Sequence, residues 1–456
     1  MRRFLWIVLA GCLVTSQAKA KETWSLVYSK PGQDNAVYAL WAVDGSHAWA
    51  LGVDSSGGSS RPFGVRTSNG ASWADMILPA GGGGQFDLTM FLMVAFADEN
   101  HGWLYGSHVS MSGADPLLYE TTDGGGSWTE VTAPSKGFED LQALPSGQVY
   151  GVGESMVFIG DAGSYQEVTA PVPSGMHLAS IFMLNSQCGA ALAVSDEDSG
   201  QETGALLWTS DGGGSWAVRN QDLGFLPHRV FFVDGQKGWL AGEVGGAGLL
   251  AWTEDGGQTW TQVMAPDHPA VMGNETAPVT SCVGVRFFDD QRGVGLCLSC
   301  TANCDDQSEG SPSYLTVFLR SNDAGRTWTM DPDYEPQMTA PPFGDMVKYS
   351  GLMVLAFPDP NHGFLAGQNA LILRYEAAQP ESDGWSEFSC DSSNSNTNSN
   401  GNDNSNNSSN TNNGSGMDDG GTELQGCGCR SQGPAGPLGL FAVLFGLALM
   451  LHRRRV

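Results

Sequence analysis

Apolar residues in this chain come in short runs broken by Gly, Asp, Asn and Ser, without long helical periodicity. Leu117-Leu118-Tyr119-Glu120-Thr121, Leu206-Leu207-Trp208-Thr209, Leu249-Leu250-Ala251-Trp252-Thr253 and Val317-Phe318-Leu319-Arg320-Ser321 are four such runs, and each stops at a turn rich in Gly. Short β-rich runs bounded by Gly and Asp read as strands of hairpins. A second set lies upstream: Val94 to Gly106, Val230 to Gly242, Val285 to Leu296 and Val354 to Gly367, with looser copies at Leu40 to Gly52 and Ile181 to Val194. Each of these reads as strand, polar turn and a strand with small residues. Two hairpins make four strands, which is one propeller blade.

The turns repeat in detail. Thr121-Thr122-Asp123-Gly124-Gly125-Gly126-Ser127-Trp128 returns as Thr209 to Trp216, as Thr253 to Trp260 and, as Ser-Asn-Asp-Ala-Gly-Arg-Thr-Trp, at Ser321 to Trp328. A period of roughly 50 residues signals a repeat architecture. The Asp carboxylate folds back onto nearby backbone N–H groups, Gly accepts positive φ, and the Trp starts the next strand and packs between units. With the Trp as ruler, the marks are Trp73, Trp128, Tyr165, Trp216, Trp260, Trp328 and Trp385. Trp73 (turn at Asn69), Tyr165 (turn at Asp161) and Trp385 (turn at Asp383) belong to shortened copies. The pattern predicts an all-β, seven-bladed β-propeller over 21–390, with six or eight blades left open by the shortened units. Trp24, one period before Trp73, suits an outer strand that closes the ring on the last blade and leaves no long free edge.

The Ser/Thr-x-Asp-x-Gly-x-Ser/Thr-Trp pattern resembles the Asp-box, or bacterial neuraminidase repeat, of sialidase-like β-propellers. With the upstream Phe-x-Asp…Gly-Trp…Gly pattern, residues 36–388 resemble the photosystem II assembly factor-like propellers. The resemblance implies the fold, and nothing in these residues points to pigment binding.

The two ends suggest a location. Arg2-Arg3, the apolar Phe4 to Val14 and Ala18-Lys19-Ala20 make an export signal over 1–20, with cleavage expected after Ala20. Leu9-Ala10-Gly11-Cys12 also matches a lipobox, with Cys12 as the acylated residue. Residues 391–426, nearly all Asn, Ser, Thr, Gly and Asp at first, read as a disordered spacer. The tail over 427–456 carries Cys427-Gly428-Cys429, an apolar stretch able to form a short transmembrane helix, and Arg453-Arg454-Arg455. It resembles the MYXO-CTERM sorting domain of myxobacterial surface proteins, which implies processing by a sorting protease near the Cys motif and display at the cell surface. A permanent membrane anchor is the other reading. The net charge of −28 disfavours nucleic acid as a partner and suits solubility outside the cell, or cationic partners.

Catalysis as a sialidase needs three Arg on a carboxylate, a Tyr–Glu nucleophile pair and an acidic acid/base. The family's Phe-Arg-Ile-Pro motif is absent, and Tyr119-Glu120 and Tyr375-Glu376, as neighbours in a strand, face opposite sides. Asp123, Asp211, Asp255 and Asp323 fall in separate blades, so they read as turn residues with their Trp128, Trp216, Trp260 and Trp328, not as metal ligands. Cys188, Cys282, Cys297, Cys300, Cys304 and Cys390 read as disulfide partners in an exported chain, with Cys282–Cys297, Cys300–Cys304 and Cys188–Cys390 as one plausible set. Four of them could instead hold a metal. His101 and His362, in Asn-His-Gly turns, read as neutral turn residues, and Gly81 to Gly84 as a flexible loop. The expectation is a binding or scaffold module without cofactor or catalytic residues, taking a protein or glycan ligand at the cell surface. A glycan-acting hydrolase or lyase and an envelope assembly factor are the alternatives.

Overall fold

The structure, a computed structural model, describes residues 23–390 apart from 31–34, 56–60, 80–87, 111–112, 133, 162, 197–201, 269–276, 303–312, 333, 335–350 and 379–387. The expected signal, spacer and tail lie outside these residues, and so do Cys12, Cys304, Cys427, Cys429, Arg453, Arg454, Arg455 and the Gly81 to Gly84 loop. Among the described residues no helix is long and apolar enough to cross a membrane.

The chain forms seven four-stranded antiparallel sheets. Blade 1 runs from β2 (Ala36–Ala42) to β5 (Ala74–Met76), and blade 2 from β6 (Leu88–Phe96) to β9 (Thr129–Glu130). Blade 3 runs from β10 (Asp140–Ala143) to β13 (Ser164–Thr169), and blade 4 from β14 (Met176–Met183) to β17 (Ala217–Asn220). Blade 5 runs from β18 (Leu226–Phe232) to β21 (Thr261–Met264), and blade 6 from β22 (Ser281–Phe287) to β25 (Thr329–Met330). The innermost strands touch one another in turn, and the innermost strand of blade 7, β26 (Leu352–Ala356), meets β2 to complete the ring.

Blade 7 is closed by the start of the chain. Its β28 (Ile372–Glu376) pairs with β1 (Thr23–Tyr28), placing Trp24 opposite Tyr375. Trp24 is 2 % exposed, with Phe318 and Tyr334 at 5.1 and 5.2 Å between ring centroids. The fourth strand of this blade is therefore β1, while the Asp383–Trp385 remnant lies outside the described residues.

Aromatic stacks join some blades. Trp49 of blade 1 lies flat on Phe96 of blade 2 at 3.6 Å, and Phe96 meets Trp128 edge-on. Trp239, Phe287 and Trp328 repeat this between blades 5 and 6. The indole N–H of Trp49 donates to the Gly124 carbonyl at 2.9 Å, and that of Trp239 to the Ala324 carbonyl at 2.8 Å. A stacked pair of this kind adds about 1 kcal/mol beyond its buried area.

Two disulfides match the expected pairs. Cys282–Cys297 bridges facing positions of β22 and its neighbour β23 (Gly293–Ala302). Cys188–Cys390 joins blade 4 to the segment after blade 7. Cys300 is disulfide-bonded too, and its expected partner Cys304 lies outside the described residues. Phe388 to Cys390 forms a strap against blades 4 and 5. Phe388 packs edge-on against Phe231 of blade 5, its carbonyl accepts from Asn185 of blade 4, and Ser389 pairs with Asp234 of blade 5.

Candidate functional site

The Asp-box carboxylates are consumed by their own turns. Asp123 Oδ1 accepts from the Ser127 N–H and the Thr121 hydroxyl at 2.8 Å, and Oδ2 accepts from the Ser127 hydroxyl at 2.7 Å. Asp211, Asp255 and Asp323 repeat the pattern with Ser215, Thr259 and Thr327. The Ser127 hydroxyl and N–H hold the Asp123 carboxyl down to about 2. Trp216, Trp260 and Trp328 donate their indole N–H to the turn carbonyls of Gly213, Gly257 and Gly325. Gly124 has φ +68°, and a Cβ there would come within 2.7 Å of the Glu99 carbonyl oxygen. Among the described residues no group of His, Cys, Asp or Glu is arranged to hold a metal ion. The shortened first copy works in the same way, since Asn69 Oδ1 accepts from the N–H groups of Ala71 and Ser72.

A second carboxylate turn, at the tips of five inner hairpins, was named in the sequence only as polar. Asp44, Asp98, Asp234, Asp289 and Asp359 each accept the backbone N–H two and three residues on, and Asn185 does the same. These tips touch the Asp-boxes: the Gly124 N–H donates to the Asn100 carbonyl at 2.8 Å, and Gly212, Gly256 and Ala324 have equivalent bonds. Both sets of turns therefore share one end of the propeller, here the box face. The histidines in the tips have acidic partners. His101 Nε2 lies 2.7 Å from Glu120, and His362 Nδ1 lies 2.9 Å from Asp359. The Asp359 hydrogen bond raises the His362 pKa above its ordinary value.

Arginines on the box face fasten blades together. Arg66 of blade 1 donates to the Gly124 carbonyl of blade 2, Arg219 of blade 4 to Gly256 of blade 5, and Arg374 of blade 7 to Gly45 of blade 1. Arg326 of blade 6 pairs with Glu254 of blade 5 at 2.6 Å. Four arginines are thus committed to structure.

At the opposite end, six of the seven inner strands share a β-bulge. Each bulged residue stands six positions ahead of its turn residue: Tyr38 and Asp44, Leu92 and Asp98, Ala179 and Asn185, His228 and Asp234, Val283 and Asp289, Met353 and Asp359. In blade 3 Glu139 stands at the equivalent position, six ahead of Pro145, but its strand shows no such bulge and its turn no acidic residue. Bulges re-aim side chains. Tyr38, Leu92 and Val283 are 8 % exposed and His228 7 %, against 0–3 % for Val37, Ala39, Met93, Cys282 and Arg229 beside them. The bulged residues thus take one register position around the inner strands, buried at Tyr38, Leu92, Ala179, His228 and Val283.

The ring divides into two sectors. Blades 6, 7, 1 and 2 contribute Val283, Met353, Tyr38 and Leu92, and the Tyr38 hydroxyl is spent on the Phe91 carbonyl at 2.6 Å. Blades 3 and 5 contribute Glu139 and His228 on either side of Ala179. Under this polar sector Asp140 of blade 3 accepts from Ser180 of blade 4 at 3.0 Å and pairs with Arg229 of blade 5 at 3.4 Å. Three successive inner strands meet there, so these side chains lie on the axial side. Burial raises the Asp140 carboxyl, with Arg229 opposing it. Arg229 Nη2 is buried with no hydrogen-bond partner among the described residues.

Around this sector His228 lies 3.4 Å from Glu243, and His177 lies 2.9 Å from Asp196. Burial would push the Glu243 carboxyl up, but His228 offsets this and leaves it below its ordinary value. Burial raises the Glu139 carboxyl, with His177 opposing weakly through space. No hydrogen bond or ion pair reaches the Glu139 carboxylate from the described residues. None of this carries a motif. The visible signal is the register, six residues ahead of each turn Asp or Asn, and Glu139, six ahead of Pro145, lacks even that.

No family model matches the chain, and no curated protein matches it. Solved structures do. The structure titled "YCF48 bound to D1 peptide" is 18 % identical, covers 78 % of this chain and 97 % of its own, and has a TM-score of 0.51. YCF48 from Cyanidioschyzon merolae is 17 % identical over 77 % of this chain and 98 % of its own, with a TM-score of 0.49. The GH74 xyloglucanase from Xanthomonas campestris is 15 % identical over 77 % of this chain and 53 % of its own, with a TM-score of 0.44. At such identities the likeness is one of fold, and the chain is a seven-bladed β-propeller of the kind seen in YCF48.

Proposed function

We propose that this protein is an exported propeller, displayed at the cell surface through its C-terminal tail, that binds a partner without transforming it. The partner enters at the bulge ring. The observation that supports this is the contrast between the two ends. On the box face the Asp-box carboxylates and the blade-joining arginines are spent on the fold. At the opposite end the inner strands bring ionisable and apolar side chains to one register position, which suits a ligand site. A propeller of this fold takes a peptide in the structure of YCF48 with the D1 peptide, which suits the binding reading and its envelope-assembly variant.

A glycan-acting enzyme is the second reading. Glu139 is held above its ordinary value and Glu243 below it, and carboxyls pushed apart in this way can serve as acid and base. The test is a screen of the exported chain against peptide and glycan arrays, repeated with Ala179→Arg to block the ring. Binding that Ala179→Arg abolishes supports the binding reading. Turnover of any glycoside replaces it with the enzyme.

A further inference from the structure

We infer that Phe388 to Cys390 is a redox-operated cover: a dithiol that reduces the Cys188–Cys390 bond frees the strap and bares the aromatic seat at Phe231, while the propeller stays closed. The device stands apart from the proposed binding role and does not rest on it. The first observation is the tip of blade 4. In five blades the turn residue is Asp, and three residues on stands a basic side chain: His47, His101, Lys237, Arg292 and His362. Blade 4 replaces both, with Asn185 and Cys188. Asn185 still holds the turn. Its amide also donates to the Cys390 sulfur at 3.3 Å, and its oxygen lies 3.6 Å from the Cys188 sulfur. An Asp there would hold a carboxylate against both sulfurs and oppose the thiolates on which disulfide exchange depends. Amide and thiol in place of acid and base suit this tip to a bond that is opened as well as made.

The second observation is what the strap covers. Phe231 of blade 5 packs against Phe182 of blade 4 at 4.7 Å between ring centroids, the Arg286 guanidinium of blade 6 lies 4.7 Å from its ring, and Phe388 meets it edge-on. Phe231 is buried, with Phe388 half-buried against it. Close docking is built in, since a Cβ on Gly235 would come within 2.4 Å of the Cys390 carbonyl oxygen. The ring closes without the strap, because β1 pairs with β28 to complete blade 7. Cys390 is half-buried and Cys188 fully buried, so the incoming thiolate attacks the Cys390 sulfur. Cys188 leaves as a thiolate and takes up a proton. The second thiol of the reductant then displaces Cys390 from the mixed disulfide. Two electrons and two protons pass from the dithiol to the cysteines, and the dithiol ends as a disulfide.

The test treats the full-length chain in detergent with increasing dithiothreitol and no denaturant. Alkylation of each cysteine is read by peptide mass, and amide hydrogen exchange is followed in parallel. Cys390 should become alkylated at a dithiothreitol concentration about tenfold or more below that needed for Cys282 and Cys297, which are buried together inside blade 6. Exchange should then rise across Phe231 to Gln236 and stay unchanged in β1 and β28. Asn185→Asp should slow the reduction about tenfold, through the carboxylate it adds. Gly235→Ala should speed it, because the added methyl lifts the strap. Alkylation of Cys390 only together with Cys282 and Cys297 overturns the cover, and so does exchange that rises in β1 and β28 along with the strap. Reduction of Asn185→Asp and Gly235→Ala at the wild-type rate overturns the role of the blade 4 tip.

Discussion

The Tyr165 hydroxyl donates to the Glu120 carboxylate at 3.0 Å, from blade 3 to blade 2. Blade 3 has no full Asp-box, and this bond stands where other blades place a box Trp. Glu120 also holds His101, so one carboxylate gathers two blades and an inner-hairpin tip. Burial raises the Tyr165 phenol to about 12, so it remains a donor throughout the neutral range. Tyr165→Phe should cost about 1 kcal/mol in urea unfolding, and Glu120→Gln should weaken both contacts. An unchanged midpoint for both variants would show that the bridge contributes nothing.

Removing the closing strand's anchor should be more severe. Trp24 fills a pocket of Phe318, Tyr334, Phe357 and Tyr375. Trp24→Ala should cost about 3–5 kcal/mol. Hydrogen exchange would show the loss concentrated in blade 7, where β28 loses its outer neighbour.

The Asp-boxes predict an acid limb of stability. The folded Asp123 carboxyl lies near 2, below its unfolded value. Asp211 is lowered chiefly by the Ser215 hydroxyl, while in Asp255 and Asp323 slight burial opposes but the threonine hydroxyls prevail. A depressed carboxyl contributes stability that is complete above its unfolded pKa and lost as pH falls through the folded one. The melting temperature should therefore fall between about pH 4 and pH 2. Asp123→Asn should flatten that slope and destabilise less than Asp123→Ala, because Asn69 shows that an amide oxygen still holds the turn.

The long-range disulfide spans 202 residues of sequence. Cys188→Ser should lower stability by about 2–4 kcal/mol, since long loops gain most from closure. Cys390→Ser should act alike. Limited proteolysis before Phe388 should become faster in both, and equal rates would show that the strap is held without the bond.

The blades were legible because their turns are local: Asp, Gly, Ser or Thr and Trp within eight residues determine one hairpin. Even Trp24 could be placed, since its spacing left a missing outer strand to fill. The axial sector was not legible. Asp140, Ser180 and Arg229 come from three blades and follow Glu139, Ala179 and His228 at one register position, but they share no residue type and meet only because the ring brings their strands side by side. The bridge from Tyr165 to Glu120 was hidden for the same reason. Glu120 was considered only against Tyr119 next to it, whereas its partner lies 45 residues further on.

The strap also determines how the molecule carries load. A pull on the chain beyond Cys390 reaches the covalent bond to Cys188 before it reaches β28 or β1. Tension passes into the box side of blade 4, and the β1–β28 seam, which such a force would otherwise unzip strand by strand, is bypassed.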